Sequence, residues 1–380
     1  MRPPTNQQMK ILHIIPNLNK GGAERLVTDI VRELKTRPEI QVRLVIFRDE
    51  IEYDVEDLRD VLHIIPSSVQ LSLWKKNKLH VVQLQAFIDD FQPDIIHSHL
   101  FEAEIVSRSC FYPKAKWFSH GHGFFREFEQ ISFSRIRSKS SLNIKFEQLY
   151  ILNRYKRNNG NTFIAVSSSI KEYLSKVFRG KCVVLFNAIQ LNKFASVKAD
   201  KLNNGKLNLL SVSRLDENKN HTLQIDTLVE LKKRNIDVHL HIIGEGSLKN
   251  TILKRVKDLG LAKSVIFLGW IKETEKYYPK YDIFIHTAKK EALGLTILEA
   301  MSAGLPIVTL DGKGNRDLIH SGKNGFMINE NKAAYFADAI ENLWQNKQLY
   351  REVSDCAKKF AMEFDIEKYC TKLIGLYKIE

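Results

Sequence analysis

The sequence predicts an α/β protein built from two doubly wound parallel-sheet domains. Three observations predict it. Short apolar runs alternate with helical stretches almost throughout, as they do when a parallel sheet is covered on both faces. The chain has 380 residues, enough for two domains with separate cores. A polar stretch rich in Lys and Asn, Val197 to Lys206, then breaks the alternation near the middle. On this division residues 1–189 form one domain, 190–206 a linker, 207–364 a second domain, and 365–380 a closing helix.

Composition narrows the class. Hydrophobic residues at 44% and charged residues at 27% suit a soluble globular protein. There is no apolar run of bilayer-spanning length, and the polar start, Met1 to Gln8, lacks the apolar core of a secretory signal. Cys110, Cys182, Cys356 and Cys370 are scattered without C-x-x-C spacing, so neither a disulfide framework nor a zinc site is expected, and a reducing cytosol is the default. The net charge of +14 points to an anionic partner: a nucleotide, a lipid surface or nucleic acid.

In order, Met9 to Pro16 reads as a strand, followed by a loop and then Gly21-Gly22-Ala23-Glu24-Arg25 opening a helix. Missing side chains at Gly21 and Gly22 let a phosphate or sugar approach the backbone there, although a turn tight only for packing would look the same. Buried strands are then expected at Val42 to Phe47, Val61 to Pro66, Asp94 to His99, Lys116 to His120, Phe163 to Val166 and Val183 to Phe186. Histidines mark two of these strand ends, in Ile-Ile-His-Ser-His at 95–99 and Phe-Ser-His-Gly-His-Gly at 118–123. No third His, Cys or carboxylate recurs at ligand spacing, so no metal is expected. From Phe124 to Arg157, aromatics interleave with Arg126, Arg135, Arg137, Lys139, Lys145, Arg154, Lys156 and Arg157. Such a mixture suits an anionic membrane interface, which is the expectation at Arg135, Arg137, Lys139 and Lys145. Nucleic acid, or a solvated helix with its aromatics inside, has the same composition.

After the linker, strands are expected at Leu207 to Ser213, Val238 to Ile243, Val265 to Gly269, Asp282 to His286 and Pro306 to Leu310. Arg214 and Lys219 flank the first strand-to-helix turn, where both cations can face a diphosphate. Gly244-Glu245-Gly246 follows the second strand. The most informative stretch is His286 to Asp311, a strand end, a Gly-containing turn, a helix from Leu295 to Ala303 and a new strand. Glu299 is the one charge in that apolar helix, with no Lys or Arg within a turn, so it needs neutral donors such as the hydroxyls of a sugar diol. Glu291 lies eight residues earlier in the turn. Between the two carboxylates, the N–H groups around Gly294 and Leu295 open the helix as a seat for phosphate. Two diol-binding carboxylates flanking an anion site describe a sugar nucleotide.

These residues carry a resemblance. The Gly21-Gly22 loop, His122-Gly123, Arg214 with Lys219, Gly244-x-Gly246 and Glu291 to Gly304 resemble the retaining glycosyltransferases with two facing Rossmann-like domains, the GT-B fold, in the E-x7-E branch that builds bacterial surface glycans. The resemblance implies that Glu299 holds ribose hydroxyls, Glu291 the transferred sugar, and Arg214 with Lys219 the diphosphate. It also implies a histidine beside the sugar; both His120 and His122 are available, and His122, followed by Gly, fits better. Ala292 stands where the family usually has Gly, which is expected to narrow the donor site. The terminal helix is expected to return to the first domain.

The implied donor is a nucleoside-diphosphate sugar, with UDP-sugars favoured, and the acceptor a lipid-linked or growing glycan. No cofactor and no metal is implied, nucleic acid is not an expected partner, and the place is the cytoplasmic side, peripheral on the inner membrane face. An epimerase or hydrolase of the same architecture would need a further acid or base at the sugar. A non-catalytic nucleotide-binding partner would be expected to lack Glu291 or Lys219.

Overall fold

The computed structural model describes residues 8–125, 138–194 and 205–379. The chain divides into two compact units, Met1–Asn187 with Ile366–Glu380, and Ala188–Asp365. Arg135 and Arg137 lie outside the described residues, as does most of the stretch read as a linker.

The first unit runs β1 (Met9–Ile15), α1 (Gly22–Lys35), β2 (Ile40–Ile46), β3 (Leu62–Ile64), β4 (Ser68–Gln70), β5 (Lys78–His80), α2 (Val82–Phe91), β6 (Ile95–His99), α3 (Leu100–Ser107), β7 (Lys116–Gly121), α4 (Lys139–Arg157), β8 (Thr162–Ala165), α5 (Ser168–Ser175) and β9 (Lys181–Val184). Among the described residues seven strands form a parallel sheet in the order β3-β2-β1-β6-β7-β8-β9, and β4 pairs with β5 as a separate hairpin. The central strands are buried on both faces: Ile11 to Ile15 and all of β6 are buried. That double burial is why they read as apolar runs without alternation. The hairpin was not expected, because its two strands are three residues long and β5 is wholly exposed, leaving no apolar period to detect.

The second unit runs α6 (Leu191–Phe194), β10 (Leu207–Val212), α7 (His221–Lys233), β11 (Val238–Ile243), α8 (Lys249–Asp258), β12 (Val265–Gly269), β13 (Ile283–His286), α9 (Leu295–Ser302), β14 (Ile307–Leu310), β15 (Phe326–Ile328), α10 (Ala333–Gln345) and α11 (Lys347–Ala361). Its described strands form a parallel sheet in the order β12-β11-β10-β13-β14-β15. Leu209, Leu240, Ile283, Ile285 and Val308 from the sheet pack with Ile225, Leu228, Phe336 and Ile340 from the helices as one core. α6 begins inside the presumed linker, and its Phe194 is buried edge-on against Tyr278, so this part of the chain is core material.

The last helix, α12 (Ile366–Lys378), belongs to the first unit. It buries Ile366, Tyr369, Cys370, Leu373, Ile374 and Tyr377, and its Tyr377 hydroxyl lies 2.6 Å from His97 Nδ1.

Candidate active site

In the second unit β10 and β13 are neighbours, so the loops that leave their C-terminal ends meet. Asn218 ties them together: its side chain donates to the Lys290 carbonyl at 2.8 Å and accepts from the Lys290 N–H at 3.0 Å, while its own carbonyl accepts from the Lys289 N–H at 2.8 Å. The Thr287 hydroxyl bonds the carbonyls of Lys219 and Asn220. These lacings place Lys219 Nζ 2.7 Å from Glu291 Oε2, and His286 Nε2 lies 3.1 Å from the same oxygen. Burial alone would push the Glu291 carboxyl up, but the Lys219 charge and the His286 imidazole outweigh it and hold it well below the usual carboxylate range. Burial lowers His286, with Glu291 opposing the shift, and its Nδ1 faces Thr309 Oγ1 at 3.3 Å.

Arg214 was expected beside Lys219, and the two side chains differ in exposure and partner. Its side chain is 76% exposed, 3.3 Å from Asp216, while Lys219 is 18% exposed and engaged with Glu291. Gly244 follows β11 with φ of +143°, and a Cβ there would stand 2.0 Å from the Ser213 carbonyl oxygen. The space its missing side chain opens is therefore filled by the backbone that carries Arg214.

α9 begins at Leu295 after Gly294, whose φ of +105° no β-branched or bulky residue adopts comfortably. Within it Glu299 is 2% exposed, as its apolar neighbours required. Its expected dependence on a ligand needs correcting. Tyr278, buried and far away in sequence, donates its hydroxyl to Glu299 Oε2 at 2.5 Å, so the carboxylate has an internal donor. No local spacing flagged that partner.

In the first unit Gly21 caps α1 in extended conformation. Its N–H donates to the Tyr53 hydroxyl at 3.1 Å, which in turn donates to the Gly21 carbonyl at 2.8 Å. A Cβ on Gly21 would stand 2.1 Å from a Glu24 carboxylate oxygen. With its amide engaged and an anion beside it, Gly21 suits a hydroxyl better than a phosphate. Gly22 starts the helix proper.

The strand-end histidines form a larger group than their spacing suggested. β1 lies beside β6 with His13 opposite His97, and β6 lies beside β7 with His99 opposite His120. His13, a histidine the spacing argument passed over, thereby joins His97, His99, His120 and His122. His13 Nδ1 is 2.9 Å from His99 Nε2, and His99 Nδ1 is 2.9 Å from His122 Nε2. The His120 and His122 rings stack with centroids 4.2 Å apart. Burial lowers His13 and His122 to about 3, and pushes His97, His99 and His120 well below their ordinary value, with neighbouring imidazoles adding to the effect. All five rings are neutral near pH 7.

Of the basic stretch, α4 is described from Lys139. Lys139 is exposed and Lys145 half-buried, 3.5 Å from Gln148 Oε1. The aromatics expected outside are partly engaged within: the Tyr150 hydroxyl meets Ser109 Oγ at 2.7 Å and Arg154 lies over its ring. The apolar groups exposed on α4 are instead Leu142 and Leu149. Asn143 bonds Leu71 and Leu73, which sets the exposed Leu73, Trp74, Lys75 and Lys76 beside this helix. No helix among the described residues is long and apolar enough to cross a membrane.

Residues 20–193 match the Glycosyltransferase Family 4 model and residues 192–360 the model for Glycosyl transferases group 1. The chain is 24% identical over 371 residues to the N-acetylgalactosamine-N,N'-diacetylbacillosaminyl-diphospho-undecaprenol 4-alpha-N-acetylgalactosaminyltransferase of Campylobacter jejuni, covering 92% of this chain and 94% of that protein. It is 34% identical over 158 residues to the poly(ribitol-phosphate) alpha-N-acetylglucosaminyltransferase of Staphylococcus aureus, covering 40% of this chain and 31% of that one. The chain spans less than half the length of several other curated relatives it matches. In fold it is similar to Anabaena HepE in complex with UDP, with a TM-score of 0.77, 19% identity, and coverage of 97% of this chain and 99% of HepE.

Proposed function

The chain belongs to the GT-B glycosyltransferases, with a family 4 half followed by a group 1 half, and from that premise we propose that it moves a sugar from a UDP-sugar to a lipid-linked or growing glycan acceptor in cell-surface glycan synthesis, with retention at the anomeric carbon and without a metal. The observation that carries this reading is the part-buried Lys219–Glu291 pair at the mouth of β10 and β13, next to a helix opened by Gly294. UDP is supported by the HepE complex, and a lipid-linked acceptor by the diphospho-undecaprenol named for the Campylobacter relative.

In this reading the nucleoside diphosphate is the leaving group, and what it needs is stabilisation of growing negative charge. Lys219 is held in place by Glu291, and Arg214 stands exposed at the same turn, so one cation is preorganised and the other is free to reach the diphosphate. The first turn of α9 after Gly294 presents N–H groups to a phosphate oxygen. Glu299 binds ribose hydroxyls alongside its bond from Tyr278, and Glu291 binds hydroxyls of the transferred sugar. The first unit serves the acceptor; Gly21, Gly22 and His120 are assigned to donor binding and His122 to contact with the transferred sugar. The acceptor hydroxyl attacks the face from which the diphosphate departs, and a diphosphate oxygen takes its proton. Attachment to the membrane is peripheral, on the cytoplasmic face, through Leu73, Trp74, Lys75, Lys76, Leu142, Lys139 and Lys145, together with Arg135 and Arg137. Each basic residue near an anionic surface contributes about 1 kcal/mol.

The test is a panel of UDP- and GDP-sugars with a membrane extract as acceptor source, the product's anomeric configuration being read by NMR. Transfer from a UDP-sugar with retention, undiminished by EDTA, is expected. An inverted product or loss of turnover in EDTA would overturn the corresponding part. Flotation with anionic liposomes at low salt checks the attachment; no binding, or full binding after Lys75, Lys76, Lys139 and Lys145 are changed to Gln, would refute it.

A further inference from the structure

The five-histidine group of the first unit has a property that sugar transfer leaves unexplained. Buried imidazole nitrogens normally find partners, because one left without has lost its water and gained nothing in exchange. Here His13 Nε2, His97 Nε2, His122 Nδ1 and both nitrogens of His120 are buried with no hydrogen-bond partner. His120 is 4% exposed, so water does not readily supply what is missing. Two sets of three ring nitrogens, one from His13, His97 and His99, the other from His99, His120 and His122, lie within 4.8 Å of one another.

We propose that His99, His120 and His122 bind one divalent transition-metal ion of borderline softness, such as Zn(II). Of the two sets this one includes a residue that is not fully buried, His122, which gives an ion a way in. His99 Nδ1 and His122 Nε2 are already 2.9 Å apart, close to the roughly 3.3 Å between two nitrogens bound at about 2.0–2.1 Å around a tetrahedral ion. The other nitrogen of His99 is held by His13 at 2.9 Å, an outer hydrogen bond that fixes the ring. His97 is fixed in turn by Tyr377 and stacks on His120 with 5° between the ring planes, which limits the rotation of the third ligand. All three donors are neutral imidazoles and neither set includes a carboxylate or thiolate, a donor type that takes Zn(II), Cu(II), Ni(II) or Co(II) in preference to Mg(II) or Ca(II). Three ligands leave a fourth position open to water or an anion. The residues proposed to grip the diphosphate belong to the other unit. By taking up His122, the ion is expected to slow transfer rather than support it.

The experiment uses the full chain, untagged and stripped with a chelator. Co(II) serves as a spectroscopic probe and Zn(II) uptake is measured by titration calorimetry. One equivalent of Co(II), with visible bands that Zn(II) displaces, is the expected result. His99→Ala and His120→Ala should each weaken uptake at least tenfold, His13→Ala should weaken it about 10–100-fold through the outer hydrogen bond, and His320→Ala in the other unit should leave it unchanged. Wild-type protein that takes up no stoichiometric metal overturns the proposal whether or not the variants fold. So does undiminished binding by His99→Ala and His120→Ala protein whose circular dichroism matches wild type. Because the readout is binding, its failure leaves the transfer reaction untouched.

Discussion

Replacing Lys219 by Ala separates its ion pair with Glu291 from the diphosphate contact proposed for it. Lys219 and Glu291 are 2.7 Å apart and only 18% and 13% exposed, so removing the ammonium strands a carboxylate with little water around it. Breaking such a pair from one side costs about 3–5 kcal/mol when burial is complete, and the residual exposure argues for the lower end. His286 then becomes the remaining partner of Glu291. Lys219 is one of the groups that depress His286, so its loss moves the imidazole pKa upward, and more of it is protonated as the pH falls. The stability deficit should therefore be smaller at pH 5.5 than at pH 8. Urea unfolding followed by circular dichroism at the two pH values measures this. If Lys219 also stabilises the departing diphosphate, turnover falls at least tenfold, about 1.4 kcal/mol in the barrier. Lys219→Ala/Glu291→Gln should then regain much of the stability without regaining turnover, measured as release of nucleoside diphosphate. Wild-type turnover in Lys219→Ala would refute the diphosphate assignment, and unchanged stability would refute the buried pair.

Three other outcomes follow from the same geometry. Arg214→Ala, which alters an exposed side chain, is expected to leave the melting temperature within a degree or two while turnover drops at least tenfold. Tyr278→Phe removes a hydrogen bond to a buried carboxylate and should cost about 1.5–3 kcal/mol in chemical unfolding, while Glu299→Ala should lower turnover at least tenfold. Acid should destabilise the first unit steeply: His13 titrates near 6.5 when unfolded and at about 3 when folded, so the unfolded chain binds the extra proton between those values and stability falls as pH drops through that window. The slope is about 1.4 kcal/mol per pH unit for each such ring, and His13→Gln should flatten the profile of unfolding free energy against pH by one ring's share.

The long parallel strands were legible because burial on both faces leaves a continuous apolar run, as in β1 and β6. The positive φ of Gly294 and the burial of Glu299 were legible for a similar reason, a local departure from what the neighbours keep, whereas Glu291 was picked out by its spacing from Glu299. What stayed hidden depends on pairings between distant segments. Tyr278 reaches Glu299 from a separate turn, and Asn218 binds Lys290 only because β10 and β13 are adjacent. His13 meets His97 because a parallel sheet places β1 next to β6, whereas a search for ligand spacing along the chain compares only near neighbours. Glu299, too, takes a donor from outside its helix, so its burial does not by itself require a ligand.

That α12 completes the first unit bears on how the polypeptide matures. During synthesis the ribosome delivers the strands of the first unit early, yet the surface that Tyr369, Leu373 and Tyr377 cover stays open until α12 emerges. The second unit, contiguous in the chain, has no such wait. The two units therefore differ in when their residues are all present: those of the second are made before α12, and those of the first only once α12 has followed.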